Sequence, residues 1–298
     1  MIHEQLDIAH WKSVFSLPRL REEARAAKRR QPGIGGLVTG PADIALLEQA
    51  REEAFAHLPD IERSPTDIFV WNRGEPARRE VTKISGLPYR EAGKPWPRAE
   101  SGTPMNFVAQ FCFADSRDIT PTLPGDILLI FAEGIELRYR DEVSYYPALG
   151  KQYGDATDPV FEWVSLGHFP LTTQAEIPKT GWQITPCYGT LYRTWDYPTI
   201  DGFAYPHIAE HIPPSVEATK IGGICPWIQG EEDIPGAFLC ALGSVFPGVD
   251  EPFPFLNVPE TISYDEQQNS HMLMIADVGE MYLFINSYGD LRWSVQGG

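Results

Sequence analysis

Thr82-Lys83-Ile84-Ser85-Gly86-Leu87-Pro88 returns later in the chain as Thr219-Lys220-Ile221-Gly222-Gly223-Ile224-Cys225-Pro226. Comparable pieces then follow each copy in the same order. After the first come Trp96, the run Phe107–Phe113 and Gly125-Asp126-Ile127-Leu128-Leu129-Ile130-Phe131. After the second come Trp227, the run Phe238–Leu242 and Asp277-Val278-Gly279-Glu280-Met281-Tyr282-Leu283-Phe284-Ile285. Three matches in order point to an internally duplicated unit, although the spacings differ.

The texture of that unit is β. From about Thr66 onward, short apolar runs alternate with Pro and Gly, as in Ile68–Trp71, Asn106–Phe113 and Ile127–Phe131. The first sixty residues read differently. Ser16 and Pro18 open a helical stretch that runs to Arg30, and a second begins at Pro41 and repeats Ile44, Leu47, Phe55 and Leu58 along one face. The expected fold is therefore α+β, an internally duplicated β-rich unit with N-terminal helices. Residues 1–65 form the helical segment and 66–298 the duplicated domain. That domain divides into halves at about 66–137 and 215–298, with an aromatic-rich insertion at about 138–214.

Composition narrows the class. Hydrophobic residues make up 43% of the 298, enough for a sizeable core. The longest apolar run, Ile127 to Ala132, is too short to span a bilayer, and the first residues lack a signal-peptide pattern. The expectation is a cytoplasmic protein. Cys112, Cys187, Cys225 and Cys240 are widely spaced, without a C-x-x-C pair, and read as buried thiols. Charge is one-sided: residues 1–100 carry 16 Lys+Arg against 15 Asp+Glu, and residues 101–298 carry 8 against 26. Such a surface repels nucleic acid and anionic lipid, so neither is an expected partner.

The repeated segments resemble the YwqG-like family of bacterial proteins of unknown function. The resemblance rests on Lys83-Ile84-Ser85-Gly86-Leu87-Pro88, Trp96-Pro97, Val108-Ala109-Gln110, Leu123-Pro124-Gly125-Asp126-Ile127-Leu128, Lys220-Ile221-Gly222-Gly223, Trp227-Ile228-Gln229 and the strand around Ala276–Ile285. It covers roughly residues 66–298. Two positions depart from the family pattern: Ser85 and Ala276 each stand where the family has glycine. The resemblance implies a duplicated α+β fold and no particular reaction.

Several constellations were weighed for chemistry. His207-Ile208-Ala209-Glu210-His211 fits H-x-x-E-H, which would place two imidazoles on one helical face, but flanking prolines leave at most two turns and a short solvated helix is the alternative. Asp196 and Asp201 lie among many aromatics, as in a sugar site, or else they cap turns. No metal, cofactor or catalytic group is assigned from these patterns. The repeated turns are the ligand-binding candidates, through Lys83, Gly86, Trp96, Gln110, Lys220, Gly222, Gly223, Trp227 and Gln229. Pseudo-symmetry would gather them around a cleft between the halves, holding a small ligand. The alternative is that glycine supplies positive φ and the Trp and Lys stems pack. The first functional expectation is an interaction protein that engages a basic protein partner, in the immunity-like role that the resemblance suggests. The second is an enzyme acting on a small or carbohydrate substrate between the repeats.

Overall fold

The computed structural model describes residues 63–133, 158–180, 184–196, 218–245, 273–276 and 279–297. Ten strands run through them: β1 (Ser64–Arg73), β2 (Lys83–Ile84), β3 (Asn106–Cys112), β4 (Ile127–Ala132), β5 (Val160–Val164), β6 (Cys187–Asp196), β7 (Lys220–Gly222), β8 (Ala237–Gly243), β9 (Glu280–Ile285) and β10 (Leu291–Gln296). They form one nearly closed, barrel-like sheet in the order β10-β9-β8-β7-β1-β6-β2-β3-β4-β5.

This corrects the α+β expectation. Every pair of neighbouring strands is antiparallel, so no helical crossover is required between them. The only helical piece among the described residues is a single 3-10 turn, Gln174–Glu176. Among the described residues the connections β1–β2, β2–β3, β3–β4, β7–β8 and β9–β10 are turns and extended loops. Both helical stretches expected before residue 60 lie outside the described residues, and so do His207–His211 and Asp201.

The order of strands in the sheet departs from their order in the chain at one place. β1 precedes the first Thr-Lys-Ile copy, yet it pairs with β7 of the second. β6 precedes the second copy, yet it pairs with β2 of the first. The two crossing strands then pair with each other over their full length, from Ser64↔Asp196 to Arg73↔Cys187. Ile68 faces Lys220 as Tyr188 faces Lys83, and these registers relate the halves by an approximate twofold axis between Val70 and Thr190.

On either side of that axis the same contacts recur. β3 carries a bulge between Phe107 and Ala109, and β8 carries one between Phe238 and Cys240. The extra residue turns Val108 and Ala109 both toward the inner core, and likewise Leu239 and Cys240. On the outer face, Phe131 lies 5.8 Å from Phe107 and 5.3 Å from Trp96, while Phe284 lies 5.7 Å from Phe238 and 5.6 Å from Trp227. Aromatic pairs at such distances add about 0.5–1.5 kcal/mol each beyond their burial.

A single core fills the inside of the curled sheet. Phe111, Phe113, Leu128 and Ile130 from one half meet Leu239, Leu242, Leu283 and Ile285 from the other. Each outer face is covered by its own loop, residues 89–105 over β3–β4 and residues 225–234 over β8–β9. β4 and β9 are thus buried on both faces, which explains their unbroken apolar sequences.

Ser85 (φ 56°) and Ala276 (φ 48°) are the only non-glycine residues with positive φ among the described ones, and they are the two positions at which the sequence resemblance leads us to expect glycine. Ser85 gains in return a hydrogen bond from Oγ to the Ile184 carbonyl, 3.1 Å. A side chain in this region costs about 1–2 kcal/mol, partly offset by the freedom glycine adds to the unfolded chain. Ala276→Gly should therefore raise stability by about 0.5–1 kcal/mol, read as a higher urea midpoint at unchanged slope. A lower midpoint would show that the strain at this position has been misjudged.

Candidate functional site

The repeated tripeptide Thr-Lys-Ile does the same work in both halves. Thr82 Oγ1 accepts the Cys112 N–H at 3.0 Å, and Thr219 Oγ1 accepts the Gly243 N–H at 3.0 Å. Ile84 and Ile221 enter the inner core. Lys83 and Lys220 take the opposite face, and both side chains are fully buried.

Each ammonium closes its own turn. Lys83 Nζ donates to the Leu87 carbonyl at 3.0 Å and pairs with Glu75 Oε2. Lys220 Nζ donates to the Ile224 carbonyl at 2.6 Å and to Asp196 Oδ2 at 2.7 Å. The carboxylates complete a ring, since Glu75 Oε1 accepts the Leu87 N–H at 2.8 Å and Asp196 Oδ2 accepts the Ile224 N–H at 2.9 Å. One glycine in each turn makes room for this acid: a Cβ on Gly86 would fall on Glu75 Oε1, and one on Gly223 on Asp196 Oδ2. Gly86, Gly222 and Gly223 all have positive φ, which the bend requires.

The two locks differ in their exposure to water. The Glu75 side chain is 37% exposed, whereas Asp196 is 0% exposed. Burial pushes the Lys83 ammonium below its usual 10.5, and the hydrogen bond and charge of Glu75 pull it partly back.

The remaining sequence candidates also sit within their own halves. Gln110 Oε1 accepts the Tyr89 N–H, and Nε2 donates to the carbonyls of Arg79 and Val81. Trp96 Nε1 donates to the Met105 carbonyl at 2.6 Å. Trp227 packs on Tyr282 and Phe284, and Gln229 Nε2 donates to the Gly297 carbonyl. The nine residues thus form two clusters. β1 and β6 separate Lys83 on β2 from Lys220 on β7, three strand spacings or about 14 Å along the sheet.

Charge chemistry elsewhere follows the same habit. Arg90, almost fully buried, grips Glu162 through Nε (2.8 Å) and Nη2 (3.1 Å) and donates to the Lys94 and Pro95 carbonyls. Burial raises the Glu162 pKa, but the hydrogen bonds and charges of Arg90 and Lys94 outweigh it, leaving the carboxyl below 4.5. Arg193 spans Asp67 and Asp118. Its hydrogen bonds and charge hold Asp118 low, while desolvation leaves the buried Asp67 raised. All four cysteines are buried free thiols, and burial pushes each upward, Cys112 to about 12. Among the described residues no three His, Cys, Asp or Glu side chains converge as a metal site would need.

The repeated units lie inside a single family match. The chain matches a domain of unknown function, DUF1963, over residues 82–292. It belongs to that family. The DUF1963 match therefore begins at the first lock, with Thr82, and runs into β10. No curated protein matches the chain. Among the described residues no helix is long and apolar enough to cross a membrane.

Sequence reasoning missed the acids of both locks. Glu75 precedes its lysine by eight residues and Asp196 by 24, and one is Glu while the other is Asp, so no shared spacing marks them. Asp196, which the sequence offers as a sugar-site acid or a turn cap, is the buried partner of Lys220.

Two outcomes follow. Lys220→Met strands the buried Asp196 carboxylate and should cost about 3–5 kcal/mol in denaturant unfolding, with much of that recovered in Lys220→Met/Asp196→Leu. Lys83→Met should cost clearly less, because Glu75 can rehydrate; equal costs would refute the ranking by exposure. The second outcome concerns acid. Because the folded Glu162 pKa is depressed, its stabilisation is complete above about 4.5 and is lost as pH falls through the lower folded value. Glu162→Gln should flatten stability against pH below about pH 5 relative to wild type. Parallel curves would show that the Arg90 pair contributes no acid sensitivity.

Proposed function

We propose that this DUF1963 protein is a binding protein that engages a positively charged protein partner through the acid-rich side of its second half. Residues 197–278 contain twelve Asp or Glu and one cation, Lys220. That single cation is sealed inside the fold against Asp196, with both side chains fully buried, and so it neutralises nothing at the surface. This is the observation that carries the reading.

The described surface supports it. Glu231, Glu232 and Asp233 are exposed on the loop before β8, and Asp290 is exposed in the β9–β10 turn. Arg292 is the one exposed cation among the described residues of that half. Glu232 is positioned by Ser294 and Gln296, whose side chains donate to its carboxylate at 2.8 and 2.7 Å. An ordered, exposed carboxylate suits recognition of Lys or Arg side chains, and the long-range field of the acidic cluster speeds encounter. The resemblance to YwqG-like proteins, with the immunity-like role suspected of some, fits this reading.

Calorimetric titration of the full chain with an oligolysine peptide tests it. Affinity should fall steeply between about 50 and 300 mM NaCl, as screening dictates. Glu231→Gln/Asp233→Asn, at exposed positions, should weaken binding severalfold without moving the melting temperature. An oligoglutamate peptide that binds as tightly, or oligolysine affinity indifferent to salt, would sink the proposal.

A further inference from the structure

The β9–β10 turn of one half reaches the β3–β4 connection of the other. A Cβ on Gly289 (φ 86°) would stand 3.1 Å from Pro124 Cγ, so the glycine sets this approach. Beside the contact is an open cleft of about 590 Å³. Pro121 and Thr122 line it from the first half, and Gly236, Ala237, Ile285 and Ser287 from the second.

Both walls are held before any ligand arrives. In the turn, Asn286 N donates to the Asp290 carbonyl at 3.1 Å, and Asn286 Oδ1 accepts the N–H groups of Tyr288 and Asp290 at 2.9 Å. The opposite wall, Pro121 and Thr122, runs between Thr120, whose Oγ1 donates to the Ser116 carbonyl at 3.1 Å, and Asp126, whose N–H donates to the Val164 carbonyl at 3.0 Å. Gly236 (φ 126°) lets the start of β8 pass so near Ile285 that a Cβ there would lie 2.9 Å from its carbonyl oxygen.

The lining selects a chemical class. None of its side chains is ionisable, so a phosphate or carboxylate would lose water there without a counter-charge. Pro121, Ala237 and Ile285 give an aliphatic surface, while Thr122 and Ser287 supply hydroxyls. Tyr288, 88% exposed, stands in the chain between two lining residues, Ser287 and Gly289. An apolar surface beside hydroxyl partners matches a molecule that has both C–H faces and hydroxyl edges, and Tyr288 at the rim is free to close over it. The volume lies in the range of small-molecule sites. We propose that this seam between the halves binds a small neutral polyhydroxylated ligand, a mono- or disaccharide or cyclic polyol. The site shares no residue with the two lysine locks and is independent of the acidic-face reading.

Amide-shift NMR and calorimetry on the full chain, with glucose, maltose and myo-inositol as probes, test the assignment. At least one neutral probe should give saturable shifts at Thr122, Ala237, Ser287 and Gly289, and glucose 6-phosphate and glucuronate should bind about tenfold or more weakly. Ala237→Leu, which fills the cleft from an exposed strand end, and Tyr288→Ala should each weaken binding about tenfold while the unfolding midpoint holds. The neutral-probe affinity should also be the same at about 50 and 500 mM NaCl, unlike that of a cationic peptide. Absence of saturable shifts with every neutral probe overturns the proposal. So does charged-analogue binding of equal strength, or undiminished binding by a folded Ala237→Leu protein.

Discussion

The ladder between β1 and β6 is the constraint on which the rest of this molecule depends. Ten residue pairs join two strands that each belong, by hydrogen bonding, to the half encoded on the far side of the chain. Neither half can leave without breaking that ladder, and neither has an inner core of its own. Phe111 and Ile130 require Leu239 and Ile285 as neighbours. The duplicated sequence therefore yields one cooperative body rather than two beads, because the apolar face of each half is only covered when the sheet curls onto the other.

The buried lysines are best understood within that frame. A charge in a fully buried position costs several kcal/mol unless it is paired and hydrogen-bonded. Here each ammonium has a carboxylate and a carbonyl, and each carboxylate has an N–H from the same turn. Such a closed ring specifies the bend after β2 and β7 and ties it to the end of β1 or β6. It ties the end of each crossing strand back to the half that the strand precedes in the chain, Glu75 to Lys83 and Asp196 to Lys220. Arg90 with Glu162, and Arg193 with Asp67 and Asp118, spend further cations on structure. In the second half Lys220 is sealed inside the fold, and Arg292 is the one exposed cation among the described residues.

The β content was legible because period and composition survive in the sequence. Ile127–Ala132 reads as a strand covered on both faces, and it is one. The paired Trp96 and Trp227 do the same job on the two outer faces, as their matching positions suggested. The α+β class was misjudged because helical patterns in the first sixty residues were extended to the class of the whole chain, whereas antiparallel neighbours need only extended loops between them. Gathering Lys83, Lys220, Gln110 and Gln229 around one cleft also assumed that like residues meet at the axis. The axis passes between Val70 and Thr190 instead, which keeps the two turns on opposite sides of β1 and β6.

The sequence by itself determined the repeated motif, its short apolar strands, the need for glycine in the turns and the acidic bias of the second half. These are local properties, written in residue type and period. Only the tertiary structure decided that the halves exchange strands, that Glu75 and Asp196 are the lysines' partners and that the cleft lies between the β3–β4 loop and the β9–β10 turn. The physical reason is that the strand exchange, the Asp196–Lys220 pair and the cleft depend on contacts between residues distant in the chain, and no spacing rule in one sequence encodes which distant segments a curling sheet will bring together. Glu75 is near Lys83 in the chain but shares no spacing with its counterpart.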